Sequence, residues 1–85
     1  MKNLPKLLGK RIRQLREEKG LTLEKTAYEA GVSKGHLSDI ENGKKSPSLL
    51  FLQTLADELE VEMFDLFTFP GENSRHNRIE KLRTK

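Results

Sequence analysis

The sequence has no cysteine among its 85 residues, and no apolar run approaches the roughly 20 residues needed to cross a bilayer. The missing thiols exclude disulfides, zinc ribbons and thiol catalysis together. Met1 to Lys10 has no apolar segment of the signal-peptide kind, so a cytoplasmic location without membrane contact is expected. Catalytic signatures are equally scarce. The two histidines are scattered, and neither a Gly-rich phosphate loop nor metal-ligand spacing is present. No enzyme activity, cofactor or metal is expected. So short a chain forms one small domain, which must draw its stability from well-packed helices or a partner.

What the chain does have is charge, sorted by position. Sixteen Lys and Arg face 13 Asp and Glu, giving +3 overall and a pI near 9.3. Residues 1–20 carry +5, residues 21–45 carry 0, residues 46–72 carry −6 and residues 73–85 carry +4. A modest net charge thus conceals one basic surface suited to phosphates and one acidic surface that must avoid them.

Hydrophobic spacing is helical throughout, with no strand alternation or internal repeat. Leu8, Ile12 and Leu15 follow Pro5 and precede Gly20, which predicts a first helix over about 5–19. Thr22 can cap a second helix bearing Leu23, Ala27 and Ala30. Gly31 suits a left-handed turn, and Ser33 can cap a third helix ending near Glu41. Val32 and Leu37 occupy the two positions of a hydrophobic staple around that cap. Ser48 can open a fourth helix with Leu49, Leu52, Leu55, Ala56 and Leu59 on one face. A short fifth helix is expected over about 62–67, with Met63, Leu66 and Phe67. The chemistry divides into a domain over 1–68 and a basic tail over 69–85, flexible or marginally helical.

On the third helix, at about 100° per residue, Leu37, Ile40 and Glu41 fall together, leaving Gly35, Ser38, Asp39 and Asn42 opposite. Lys34 projects from the helix start and His36 lies on the flank. Small and polar residues facing outward allow a helix backbone to approach base edges in a DNA major groove. There Lys34 can donate to guanine, Asp39 can accept from cytosine N4, and Ser38 can do either. Glu41 breaks the pattern, because it shares the apolar side.

Two short helices joined by Ala30-Gly31-Val32-Ser33 form a helix-turn-helix pattern, in which Ala27 permits close crossing and Val32 plugs the corner. Further blocks surround it. They are Leu8-Gly9-Lys10-Arg11-Ile12-Arg13-Gln14-Leu15-Arg16, Gly20-Leu21-Thr22, Leu37-Ser38-Asp39-Ile40-Glu41-Asn42-Gly43-Lys44, Pro47-Ser48-Leu49 and Leu66-Phe67. Across residues 4–67 the chain resembles the lambda repressor/Cro-type (Xre-like) helix-turn-helix DNA-binding domain family. The resemblance implies an all-α, five-helix domain with helix 3 reading double-stranded DNA, acting as a homodimer. It implies base reading by Lys34, Gly35, His36, Ser38 and Asp39. Phosphates would be positioned by Arg16, Thr22, Ser33, Asn42, Lys44 and Lys45. Family members also pair an arginine and a glutamate at the positions of Arg16 and Glu41, so an internal ion pair between these two is expected.

Helix 4 has more apolar residues than one face requires. Leu50 points away from the core stripe, and Phe51, Phe64 and Phe69 add to an apolar group on the acidic half, which fits a dimer or partner interface. The expected function is a transcriptional regulator, most simply a repressor reading a pseudo-palindrome. The competing reading is an antitoxin or adaptor that holds another protein through Leu50, Phe51, Phe64 and the tail and also binds DNA.

Overall fold

The computed structural model describes residues 3–71. Among them are four α-helices, α1 (Leu4–Glu18), α2 (Leu23–Glu29), α3 (Lys34–Glu41) and α4 (Leu49–Glu58), followed by a 3-10 helix at Met63–Phe67. The expected fifth α-helix is therefore corrected to a 3-10 turn. Met63 and Leu66 stand three apart, a spacing that fits three residues per turn as well as 3.6. The basic stretch of the tail lies outside the described residues.

Side-chain caps set the helix starts. Asn3 Oδ1 accepts from the Lys6 N–H at 3.1 Å, Thr22 Oγ1 from Lys25 at 3.1 Å, Ser33 Oγ from His36 at 3.0 Å and Ser48 Oγ from Phe51 at 3.0 Å. Each cap satisfies a backbone donor that the helix itself leaves unpaired. Pro5 sits in the first turn of α1, where its lacking N–H costs nothing.

The core is one cluster. Leu8, Ile12 and Leu15 of α1, Ala27 of α2, Leu37 and Ile40 of α3, and Leu52, Leu55, Ala56 and Leu59 of α4 and its end pack with Leu66. Leu49 is a correction, since it is 72% exposed. It lies on the α4 stripe by angle, but side chains lean toward a helix N-terminus, so the first residue points past the end of the core. Two ties lock α1 in place. Gly9 is buried against the backbone of Ile40 and Glu41, and Arg11 Nε donates to the Asp65 carbonyl at 2.8 Å.

Between α2 and α3 the chain turns sharply at Gly31, whose φ of +79° is costly for any residue with a Cβ. The Val32 N–H donates to the Ala27 carbonyl at 3.0 Å, closing the corner. Half-buried Val32 packs against the core from the turn.

Candidate nucleic-acid interface

Burial sorts α3 into two sides. Leu37, Ile40 and Glu41 are buried, Lys34 and Gly35 are exposed, and His36, Ser38 and Asp39 are half-buried. A Cβ at Gly35 would meet nothing within 4 Å, so the outward side at the helix start is open to an approaching surface. Asn42 Nδ2 donates to the Ser38 carbonyl at 2.9 Å and lies 3.4 Å from its hydroxyl, closing the C-terminal end of the helix.

Beyond Glu41 the chain reverses at Gly43, with φ +74°, and the Lys44 N–H donates to the Asp39 carbonyl at 2.8 Å. This brings Lys45 back over α3. Its Nζ stands 3.5 Å from Asp39 Oδ2 and 3.5 Å from His36 Nδ1. Two residues assigned separate duties from sequence, Asp39 to bases and Lys45 to phosphates, are thereby joined.

Arg16 faces the opposite way. Its Nε donates to Glu41 Oε2 at 2.8 Å, Nη2 to Glu41 Oε1 at 3.1 Å and Nη1 to the Leu21 carbonyl at 2.7 Å. Both side chains are inside, at 10% and 5% exposure. Donation to the Glu41 carboxylate is the main cause raising the Arg16 pKa, opposed by burial. Each of the three guanidinium nitrogens thus has a partner inside the domain.

Thr22, Ser33, Lys44 and Lys45 are exposed, as is Asn42, and all flank α3 or the start of α2. One group escaped the sequence reading. Lys6, Lys10 and Arg13 of α1 share a groove with Asn42 and the edge of Glu41. The only signal was the +5 of residues 1–20, which did not say which bases gather beside α3.

The apolar residues separate too. Leu50 is 75% exposed and Phe64 70% exposed, whereas Phe51 is half-buried, packed on the core and edge-on to His36. Half-buried Phe69 lies with Pro70 along Leu7, Lys10 and Gln14 of α1. Exposed Leu49 and Phe67 join Leu50 and Phe64 on the acidic segment.

A capped α2, a glycine corner and an α3 with a polar outward side define a helix-turn-helix domain. Comparison with known proteins agrees: residues 12–66 match the helix-turn-helix family, and the chain belongs to it, in the lambda repressor/Cro-type (Xre-like) class of DNA-binding domains. It is 44% identical over 62 residues to the HTH-type transcriptional regulator SlrR of Bacillus subtilis, covering 72% of this chain and 41% of SlrR. The chain thus spans less than half of that relative. It is 36% identical over 75 residues to the HTH-type transcriptional regulator SinR of Bacillus licheniformis, covering 87% of this chain and 68% of SinR. A solved structure of SinR, the master regulator for biofilm formation, in complex with DNA matches with a TM-score of 0.67 and 40% identity. That match covers 72% of this chain and 98% of the SinR chain. No helix among the described residues is long and apolar enough to cross a membrane.

Proposed function

We propose that this domain binds double-stranded DNA sequence-specifically, with α3 in the major groove, and regulates transcription by occluding a promoter. The observation that carries this reading is the two-sided α3, with Leu37 and Ile40 fully buried and Lys34, Gly35, Ser38 and Asp39 on the open side. Lys34, at the exposed start of the helix, reads guanine O6 and N7, and His36 reads from the flank. Thr22, Ser33, Asn42 and Lys44, with the α1 bases Lys6 and Lys10, hold phosphates and fix the register. No catalytic role, cofactor or metal enters this mechanism, and the protein acts in the cytoplasm where the DNA is.

Selection from random duplex DNA, followed by titration at fixed salt, tests the reading. Lys34→Ala is expected to lower affinity for the selected site by about tenfold and to change the preferred base, in line with the ~1–3 kcal/mol of one base contact. A uniform loss across all sequences would reduce Lys34 to a phosphate contact.

The exposed Leu49, Leu50, Phe64 and Phe67 support a homodimer, which would set two α3 helices about 34–36 Å apart on a pseudo-palindrome. Their burial against a different protein is the second reading, that of an antitoxin or adaptor. Leu50→Glu separates the cases by analytical ultracentrifugation. A dimer using this surface dissociates toward monomer on introducing the charge, and unchanged self-association removes Leu50 from the interface.

A further inference from the structure

The polar cluster over α3 has a geometry that neither base reading by Asp39 alone nor phosphate binding by Lys45 alone explains. His36 and Asp39 are three residues apart and project from the same side of α3. Lys45 Nζ lies 3.5 Å from Asp39 Oδ2 and 3.5 Å from His36 Nδ1. Phe51 holds the His36 ring from α4, with centroids 6.0 Å apart at an angle of 73°. The ammonium and carboxylate remain accessible, at 51% and 38% side-chain exposure.

A lone carboxylate entering the major groove is repelled by the phosphates on both sides. Paired with Lys45 it carries no net charge, and the pair offers an acceptor and a donor next to each other. A C·G base pair offers the complement. Cytosine N4 donates and guanine O6 accepts, side by side at the ordinary N–H···O separation of about 2.9 Å, with guanine N7 as a second acceptor beyond. The 3.5 Å separation of Lys45 and Asp39 is close to that spacing. An A·T pair fits less well. Its donor, adenine N6, lies between two acceptors, so a carboxylate there also meets adenine N7, and beyond thymine O4 is a methyl group instead of a second acceptor.

We propose that Asp39 and Lys45 read one C·G base pair as a unit, the carboxylate accepting from cytosine N4 and the ammonium donating to guanine O6 or N7. His36 and Phe51 are positioning residues for that unit. The inference rests on the DNA-binding reading above, moves Lys45 from the phosphates to the base edges and makes His36 a support for the pair instead of a reader.

The test uses the full chain and the duplex selected by the wild-type protein, with each base pair substituted in turn. Affinities are measured by fluorescence anisotropy for wild type, Asp39→Asn, Lys45→Gln and the double variant. Both single variants are expected to lose about tenfold or more of the preference for C·G over A·T at one and the same base pair. The double variant loses no more than either single, because the unit is already broken. His36→Ala weakens discrimination at that base pair alone, which a merely structural role would not do. The proposal is overturned if Lys45→Gln weakens all sequences equally with no change of preference at any base pair, the mark of a phosphate contact. It is equally overturned if the two substitutions affect different base pairs. A wild-type protein with no sequence preference would instead overturn the DNA reading on which the proposal stands.

Discussion

Glu41→Ala is expected to destabilise the domain by about 3–5 kcal/mol, enough to lower the thermal midpoint by ~15 °C or more. Small domains are held by only about 5–15 kcal/mol, so much of the chain population would unfold on modest heating. The size follows from what is left behind. Arg16 has 10% side-chain exposure and loses two of its three acceptors at once, keeping only the Leu21 carbonyl. A buried guanidinium without a counter-charge is far more costly than the net worth of the pair. Glu41→Gln keeps an acceptor of the same shape and is expected to cost less than the alanine. Replacing both partners, Arg16→Met with Glu41→Leu, removes the stranded charge and recovers much of the loss. Chemical denaturation of the four proteins checks the order, and an unchanged midpoint in Glu41→Ala would overturn the account. Because the Glu41 hydrogen bond raises the Arg16 pKa, the contribution is complete below the unfolded-state arginine value. It is lost only as pH rises through the still higher folded value, so no loss from arginine deprotonation is expected across the neutral range. The double replacement is also expected to leave the salt dependence of DNA binding unchanged, since Arg16 is turned away from the surface.

Glu41 was legible in the sequence for a simple reason: a charge on an apolar stripe must find a partner or unfold the helix. The caps Thr22, Ser33 and Ser48 were legible because capping is local, fixed by a hydroxyl and the N–H three residues on. Asn3 acts in the same way at the start of α1, but Pro5 drew attention to the next turn. What sequence could not show is contact between elements. Leu49 keeps the helical period yet faces solvent, because the core ends one turn later. Phe51 is surplus to the apolar stripe of α4, and the His36 ring it meets comes from another helix. Lys45 and Asp39 are brought together only by the chain reversal at Gly43. Local rules therefore gave the helices and the polar side of α3, while the contacts among the residues on that side come from tertiary structure.

Gly9 carries that lesson furthest, and Gly9→Ala is expected to destabilise the domain by about 3 kcal/mol. By helix propensity alone the substitution should help, since alanine is favoured over glycine in a helix interior by ~1 kcal/mol. Tertiary contact reverses the sign. A Cβ at Gly9 would stand 2.6 Å from the Glu41 carbonyl oxygen and closer still to that of Ile40. These are backbone atoms at the end of α3 and cannot swing aside as a flexible side chain would. Relief requires α1 and α3 to move apart, and the same two helices hold Arg16 against Glu41 at 2.8 Å. Overpacking at Gly9 therefore also stretches the buried ion pair, so the two losses are coupled and Gly9→Ala combined with Glu41→Ala should cost less than their sum. Gly35→Ala is the matched control, because the Cβ there meets nothing within 4 Å. It is expected to raise stability by about 0.5–1 kcal/mol through helix propensity. At the same time it should weaken DNA binding, because the added methyl stands on the open side of α3 that is proposed to approach base edges. Urea denaturation and operator titration on the two variants give opposite patterns if α3 is packed on one side and reads on the other. A stabilised Gly9→Ala would mean that α1 and α3 are not in backbone contact.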